Sequence, residues 1–312
     1  RYSGEYIGRI YDHQPKHDLA RDDTRSFNEI STEEESLIKM CTENFENVIV
    51  VFNTGSIMDM TFLDDPSFGK IDAAMNVGYM GQSGATAIPK ILSGEVNPSG
   101  KLADTVIYDP EVNEITRLNG ESSDIVYIED VYIGYKWYET AGAEGWYDGK
   151  TKFGKTGYDA VVQFPFGSGL SYTTFEWELL DVSIESGGNI DKDSVIDIQV
   201  RVQNTGGVPG KDVVELYLTA PYEDGGIEKP HVALLDFEKT EEIQPGDYDV
   251  VEFSITAYEL ASYDCYDANE NIITGWELEG GTYQLKLMTD AHTLIAMDNA
   301  VVEYTAEQAQ RL

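Results

Sequence analysis

Ser31-Thr32-Glu33-Glu34-Glu35-Ser36-Leu37-Ile38-Lys39-Met40-Cys41-Thr42-Glu43-Asn44-Phe45 runs, two residues later, into Val48-Ile49-Val50-Val51-Phe52. The first part predicts a helix. Ser31 and Glu34 form a capping box, in which the Ser31 hydroxyl accepts the Glu34 amide and the Glu34 carboxylate reaches back. Acidic residues in the first turn suit the helix dipole. Leu37, Ile38, Cys41 and Phe45 then recur at helical spacing and give one apolar face. The second part is continuously apolar and β-branched, as in a strand buried on both faces of a parallel sheet. Asn53-Thr54-Gly55-Ser56 closes it as a tight turn.

Downstream the unit repeats. Ile57 to Leu63 reads as a short helix and Ile71 to Val77 as a second strand. Gly78-Tyr79-Met80-Gly81-Gln82-Ser83-Gly84 reads as a Gly-rich turn, and Ala85 to Leu92 as a helix stopped by Gly94. Helix and strand in alternation predict an α/β layered sandwich domain. The glycines match neither a P-loop nor a dinucleotide fingerprint, so nucleotide binding is rejected. Further on, residues 139 to 163 are rich in Gly, Lys and Asp without periodicity and read as a linker or surface loop.

The last part reads as all-β. Ile196, Ile198, Val200 and Val202 alternate with polar residues, the period of a half-buried strand. Val214, Leu216 and Leu218 repeat the pattern, as do Val251, Phe253 and Ile255, and then Tyr283, Leu285 and Leu287. Turns such as Asn204-Thr205-Gly206-Gly207 separate them. About 130 residues of this kind suggest a β-sandwich of roughly seven strands. The expected division is an α/β domain over 1–138, a linker and connector over 139–173, and the sandwich over 174–306.

Composition narrows the partners. Of 312 residues, 57 are acidic and 21 basic, a formal net charge of −36. Nucleic acids and anionic membrane surfaces need Lys and Arg, so neither is an expected partner. A neutral sugar is indifferent to such a field. Two cysteines, Cys41 and Cys265, make no disulfide framework and read as buried thiols. No apolar run approaches the ~18 residues of a membrane span. No signal peptide is visible, which leaves a cytoplasmic and a secreted bacterial location both open, and self-association is open too. His13, His17 and Asp18 would suit a metal only on a helix, which nothing there supports, so no metal and no cofactor are expected.

Four stretches then fall in order: Ser3-Gly4-Glu5-Tyr6-Ile7-Gly8-Arg9, Asn97-Pro98-Ser99-Gly100-Lys101-Leu102, Tyr127 to Tyr138, and Phe164-Pro165-Phe166-Gly167-Ser168-Gly169-Leu170-Ser171-Tyr172-Thr173-Thr174-Phe175. A glutamate in a Gly-containing loop near a terminus is ordinarily solvated and idle. A Tyr-rich run in a strand is ordinarily packing. Taken together, however, the four resemble the C-terminal half of glycoside hydrolase family 3. They are similar to its SGEGxDR, NPSG(K/R)LPxT, YxEGIYVGYRYY and FPFGYGLSYTxF segments. Tyr6 and Gly8 depart from the first pattern, where the family often has Gly and Asp.

The resemblance implies an α/β sandwich followed by a fibronectin type III-like domain, in part of a retaining exo-acting β-glycosidase, foremost a β-glucosidase. It implies Glu5 as the catalytic acid/base, with Tyr2 and Tyr6 placed to stack on a sugar. The nucleophilic aspartate would lie on a (β/α)8 barrel, of which this sequence carries no repeat. That barrel, on the same polypeptide or a companion chain, and a β-linked oligosaccharide or glucoside are the expected partners. A β-xylosidase or related exo-glycosidase, and a non-catalytic carbohydrate-binding or scaffold protein, are the alternatives.

Overall fold

The computed structural model of the chain describes residues 25, 28–55, 57–108 and 129–312. It divides into two compact units. The first takes in the described residues up to Pro89, those from 105 to 108, and Tyr147–Phe164. The second takes in Lys90–Asp104, Glu129–Trp146 and Pro165–Leu312.

The first unit opens with α1, Thr32–Asn44, and its N-terminus carries the expected capping box. The Ser31 amide donates to the Glu34 carboxylate at 2.7 Å, and the Glu34 amide donates to the Ser31 hydroxyl at 3.2 Å. Strands β1, Ile49–Phe52, and β2, Ala73–Asn76, pair in parallel, with Ile49 opposite Ala73 and Phe52 opposite Asn76. The core here is small. Phe52, Phe62 and Phe68 are buried and meet with ring centroids 5.9 and 5.5 Å apart. The Thr42 hydroxyl ties α1 to this group by donating to the Phe68 carbonyl at 2.6 Å.

Three local expectations are corrected. Strand β1 is not buried on both faces: Phe52 is its one buried residue, and among the described residues only β2 pairs with it. Helix α1 has the predicted apolar stripe but no buried residue, and Leu37 is 54% exposed. Ile57 to Leu63 is not a helix but ends in a 3-10 turn at Thr61–Leu63, followed by another at Pro66–Phe68. Asp59 and Asp65 accept the amides of Thr61 and Ser67 at 2.8 Å, which gives the backbone a local alternative to helical bonds. The short helix α2, Ala87–Leu92, follows as expected.

Strand β3, Val106–Ile107, also belongs to this unit. Helix α3, Tyr135–Ala143, belongs to the second unit and overturns a strand reading of the Tyr-rich run. Gly134, at φ 62°, breaks the extended path and starts the helix. Tyr138 and Ala141 then face inward at helical spacing. The aromatic composition favours a strand, but the period of burial decides otherwise. The stretch 139–163, read as a linker or loop, ends α3 and then, back in the first unit, forms the hairpin β4, Thr151–Lys152, with β5, Lys155–Thr156. A 3-10 turn, Gly157–Ala160, leads into β6, Val162–Phe164, which pairs with β3.

The remainder of the second unit is a β-sandwich. Its elements are β7, Phe175–Val182; β8, Gly188–Asn189; β9, Val195–Asn204; β10, Val213–Thr219; β11, Ala233–Lys239; β12, Tyr248–Thr256; the short helix α4, Ala257–Leu260; β13, Ser262–Asp264; β14, Gly275–Leu278; β15, Gly281–Met288; β16, Val301–Ala306; and β17, Gln310–Arg311. One sheet has the order β11-β10-β15-β16-β8, a second β12-β9-β7, and a small third β13-β14-β17. Ile196, Ile198, Val200 and Val202 of β9 and Val251, Phe253 and Ile255 of β12 share one core with Val214, Leu216 and Leu218 of β10. The expected alternations place these residues correctly.

Strand β10 adds something the alternation does not show. Val213, Glu215 and Tyr217, on its other face, are buried too. Tyr135, Phe166 and Leu234 pack with Tyr217 there and form a second, smaller core. Cys265 is exposed rather than buried, because it lies in the loop after β13.

Candidate functional site

Glu5, Tyr2 and Tyr6, the residues singled out for catalysis and sugar contact, lie outside the described residues. The second motif, the fourth, and the part of the third from Glu129 onward lie within them, all in the second unit except Phe164, which ends the first. The second and fourth are joined by hydrogen bonds, and the third meets the fourth by ring stacking. The Asn97 amide oxygen accepts from the Ser171 hydroxyl at 3.0 Å and the Tyr172 amide at 2.8 Å, and its nitrogen donates to the Pro209 carbonyl at 3.0 Å. Leu102 and the connector exchange two backbone bonds: its amide donates to the Ser168 carbonyl, and its carbonyl accepts from the Gly167 amide. The Tyr135 ring stacks on Phe166 at 4.6 Å and meets Tyr217 edge-on at 6.1 Å. Its hydroxyl accepts the Leu234 amide at 2.8 Å. The motifs act as clasps that hold residues 90–104 and α3 against the sandwich.

Glu215 lies at the centre of these clasps and is 3% exposed. Burial raises its pKa to about 7, against the lowering effects of the Tyr217 hydroxyl, 2.7 Å from it, and of the Lys101 charge. Asp290 and Asp212 push it further up. A pKa near neutrality is what a general acid/base needs. Yet the carboxyl has no room for a substrate. A methyl group at Gly167 would already lie 2.3 Å from Glu215 Oε2. Glu215 is an enclosed carboxyl packed against the connector at Gly167.

A second polar cluster lies in the first unit. Asp64 Oδ2 accepts from the Tyr108 hydroxyl at 2.5 Å, from Gln163 Nε2 at 2.9 Å and from Lys155 Nζ at 3.3 Å. Lys155 also donates to the Tyr108 hydroxyl at 2.5 Å. Partial burial alone would raise the Asp64 pKa, but the three donors outweigh it and hold the pKa below the ordinary aspartate value. A carboxylate so committed is an anchor between segments far apart in sequence, and a poor proton donor.

Sequence reasoning missed both carboxyls. Glu215 stands on the face of β10 that alternation assigns to solvent, and its one signal was Tyr217 two residues on. Asp64 had none, since its partners Tyr108, Lys155 and Gln163 come from β3's end, β5 and β6. On α3, the buried Glu139 carboxylate pairs with His292 Nδ1 at 2.9 Å. Among the described residues, no group of three or more His, Cys, Asp or Glu side chains could hold a metal ion. None of the described helices is long and apolar enough to cross a membrane.

Residues 17–172 match the glycosyl hydrolase family 3 C-terminal domain, and residues 212–291 match a fibronectin type III-like domain. The chain belongs to glycosyl hydrolase family 3. It is 34% identical over 292 residues to β-glucosidase A of Butyrivibrio fibrisolvens, a match covering 91% of this chain and 32% of that relative. It is 32% identical over 282 residues to a β-glucosidase of Ruminococcus albus, covering 88% and 26%. The structure resembles a β-glucosidase from Paenibacillus barengoltzii, with a TM-score of 0.78 and 32% identity over 93% of this chain and 29% of that one. It also resembles β-glucosidase 3B from Thermotoga neapolitana in complex with α-D-glucose, with a TM-score of 0.73 and 28% identity over 94% and 36%. The chain thus spans about a third, or less, of the length of the curated relatives named here.

Proposed function

We propose that this chain is part of a retaining exo-acting β-glucosidase and supplies its acid/base, Glu5, while a (β/α)8 barrel supplies the nucleophilic aspartate. What supports the reading is likeness to proteins named β-glucosidase across nine-tenths of the chain, at 32–34% identity. Their names favour a glucosidase over a xylosidase. Glu5 protonates the glycosidic oxygen as the aglycone departs and then deprotonates the water that attacks the glycosyl-enzyme. Its pKa must stand near neutrality for both roles. Tyr2 and Tyr6 stack on the sugar in the leaving-group subsite.

The test uses the polypeptide that carries both the barrel and this chain. Glu5→Ala should slow alkyl glucosides by about 10²–10⁴-fold, the usual value of general acid–base assistance. Dinitrophenyl glucoside needs little protonation, so its glycosyl-enzyme should form and accumulate, lowering kcat and KM together. Azide, which attacks without a base, should restore turnover and yield a β-glucosyl azide. Equal losses on both substrates with no azide rescue would remove Glu5 from the role.

A further inference from the structure

At one end of the sandwich three aromatic rings form a continuous exposed surface. Tyr263 on β13 and Trp276 on β14 are directly opposite in the antiparallel register, with ring centroids 5.3 Å apart. Tyr258 on α4 also packs on Trp276, at 4.9 Å. Tyr258, Tyr263 and Trp276 keep 52%, 56% and 39% of their surface in water. The scaffold beneath them is rigid. Leu260 and Leu278, from the same two elements as Tyr258 and Trp276, are sealed in the main core. The Glu259 carboxylate caps α4 through the Thr256 amide at 2.7 Å. Asp264 accepts the amides of Tyr266 and Ala268 at 2.9 and 2.8 Å and so fixes the loop that follows β13.

We infer that this surface is a binding platform for a soluble, neutral β-linked glucan chain. Large contiguous apolar patches are rare on soluble proteins and mark contact sites. Tyr and Trp offer rigid, amphipathic area at low entropic cost, which suits sugar faces carrying C–H groups and flanking hydroxyls. Charge selects among partners. Residues 257 to 278 hold five carboxylates, of which Glu259 and Glu270 are exposed, and no Lys or Arg, while Arg311 of β17 lies opposite Glu277 beside β14. Polyanions and anionic lipids are repelled there. The exposed Glu270 carboxylate, an acceptor only, matches a ligand rich in hydroxyl donors. Shape selects too. The rings incline to Trp276 by 50° and 72°, so they make no flat plate for a crystalline ribbon, and they suit a chain that can turn from one ring to the next. The choice of β-linked glucose rests on the β-glucosidase reading. The platform itself does not depend on Glu5.

Native electrophoresis of the full chain through gels containing soluble mixed-linkage β-glucan tests this, with dextran and polysaccharide-free gels in parallel. The β-glucan should retard the chain, and dextran should not. Tyr263→Ala and Trp276→Ala should weaken retardation at least about tenfold, as for a central aromatic contact. Trp276 borders the core, so Tyr258→Ser serves as the second variant, with its urea midpoint checked against the parent. It should also lose retardation while retaining its fold. No retardation of the parent, equal retardation by dextran, or a folded Tyr258→Ser that migrates like the parent would each overturn the inference. Turnover of an aryl glucoside by the complete enzyme carrying Tyr258→Ser should stay unchanged. A failed platform is thereby separated from a failed acid/base assignment.

Discussion

Strand β9 of the sandwich and helix α1 of the α/β unit both carry regular apolar stripes. In β9, Ile196, Ile198, Val200 and Val202 are all sealed beneath the opposing sheet. In α1, no residue is buried, and Leu37 and Met40 stand in water. A stripe states which face is suited to cover, and only the partner decides how much of that suitability becomes stability. The two carboxyls divide the same way. Asp64 in the α/β unit is partly exposed, has three donors and is held charged. Glu215 in the sandwich unit is enclosed, accepts from Tyr217, and is held toward its neutral form.

The largest effect should separate the two stripes. Ile198→Ala removes a buried side chain and should cost about 2–5 kcal/mol. Leu37→Ala should change stability by no more than about 0.5 kcal/mol. Urea unfolding with matched slopes reads both. A comparable loss at Leu37 would mean that α1 is covered in solution, and the contrast would collapse.

Next comes Glu215. Its folded pKa lies above the unfolded value, so its contribution is fully present below pH 4.5 and is lost as pH rises through about 7. A rise from 4.5 to about 7 corresponds to about 3 kcal/mol. Glu215→Gln keeps an acceptor for Tyr217 and removes the titration. It should match the parent near pH 4 and exceed its stability by up to about 3 kcal/mol near pH 8. Parallel pH profiles for parent and variant would contradict the enclosure of this group. Asp64 has the opposite sign: its depressed pKa contributes stability above pH 3.8 that is lost as pH falls through the folded value.

The smallest effect belongs to the α1 cap. Ser31→Ala removes the acceptor for the Glu34 amide and should cost about 1 kcal/mol. Amide exchange at Glu34 reads it locally, and unchanged protection would show that the capping box carries little of the helix.

Much of this architecture was legible in the sequence, for reasons of locality. The Ser31–Glu34 cap, the β1 and β2 strands and the alternations of β9, β12 and β15 depend on neighbours a few residues away. What was not legible depended on distant partners. The second core over β10 needs Tyr135 and Phe166, and nothing near Glu215 announces them. The helix at Tyr135 hid behind strand-prone tyrosines. Ile57 to Leu63 has apolar residues enough for a helix, but Asp59 captured the Thr61 amide. Of the candidate site, the sequence showed motifs and their order. How those motifs clasp the sandwich through Asn97, Leu102 and Tyr135 needed coordinates.

Gly167 and Glu215 carry a consequence for how this protein can change over generations. Gly167 sits at φ 84°, and any side chain there would collide with the Glu215 carboxylate. Neither obstacle can be removed alone. Shortening Glu215 would open the space and leave the backbone in a region that costs other residues about 1 kcal/mol or more. Relaxing the backbone first would leave the collision. A lineage that replaces this glycine must therefore change both the backbone here and the β10 carboxyl. Drift at these two positions is linked, and the fourth motif keeps its Phe-Gly step for a reason located 48 residues further along the chain.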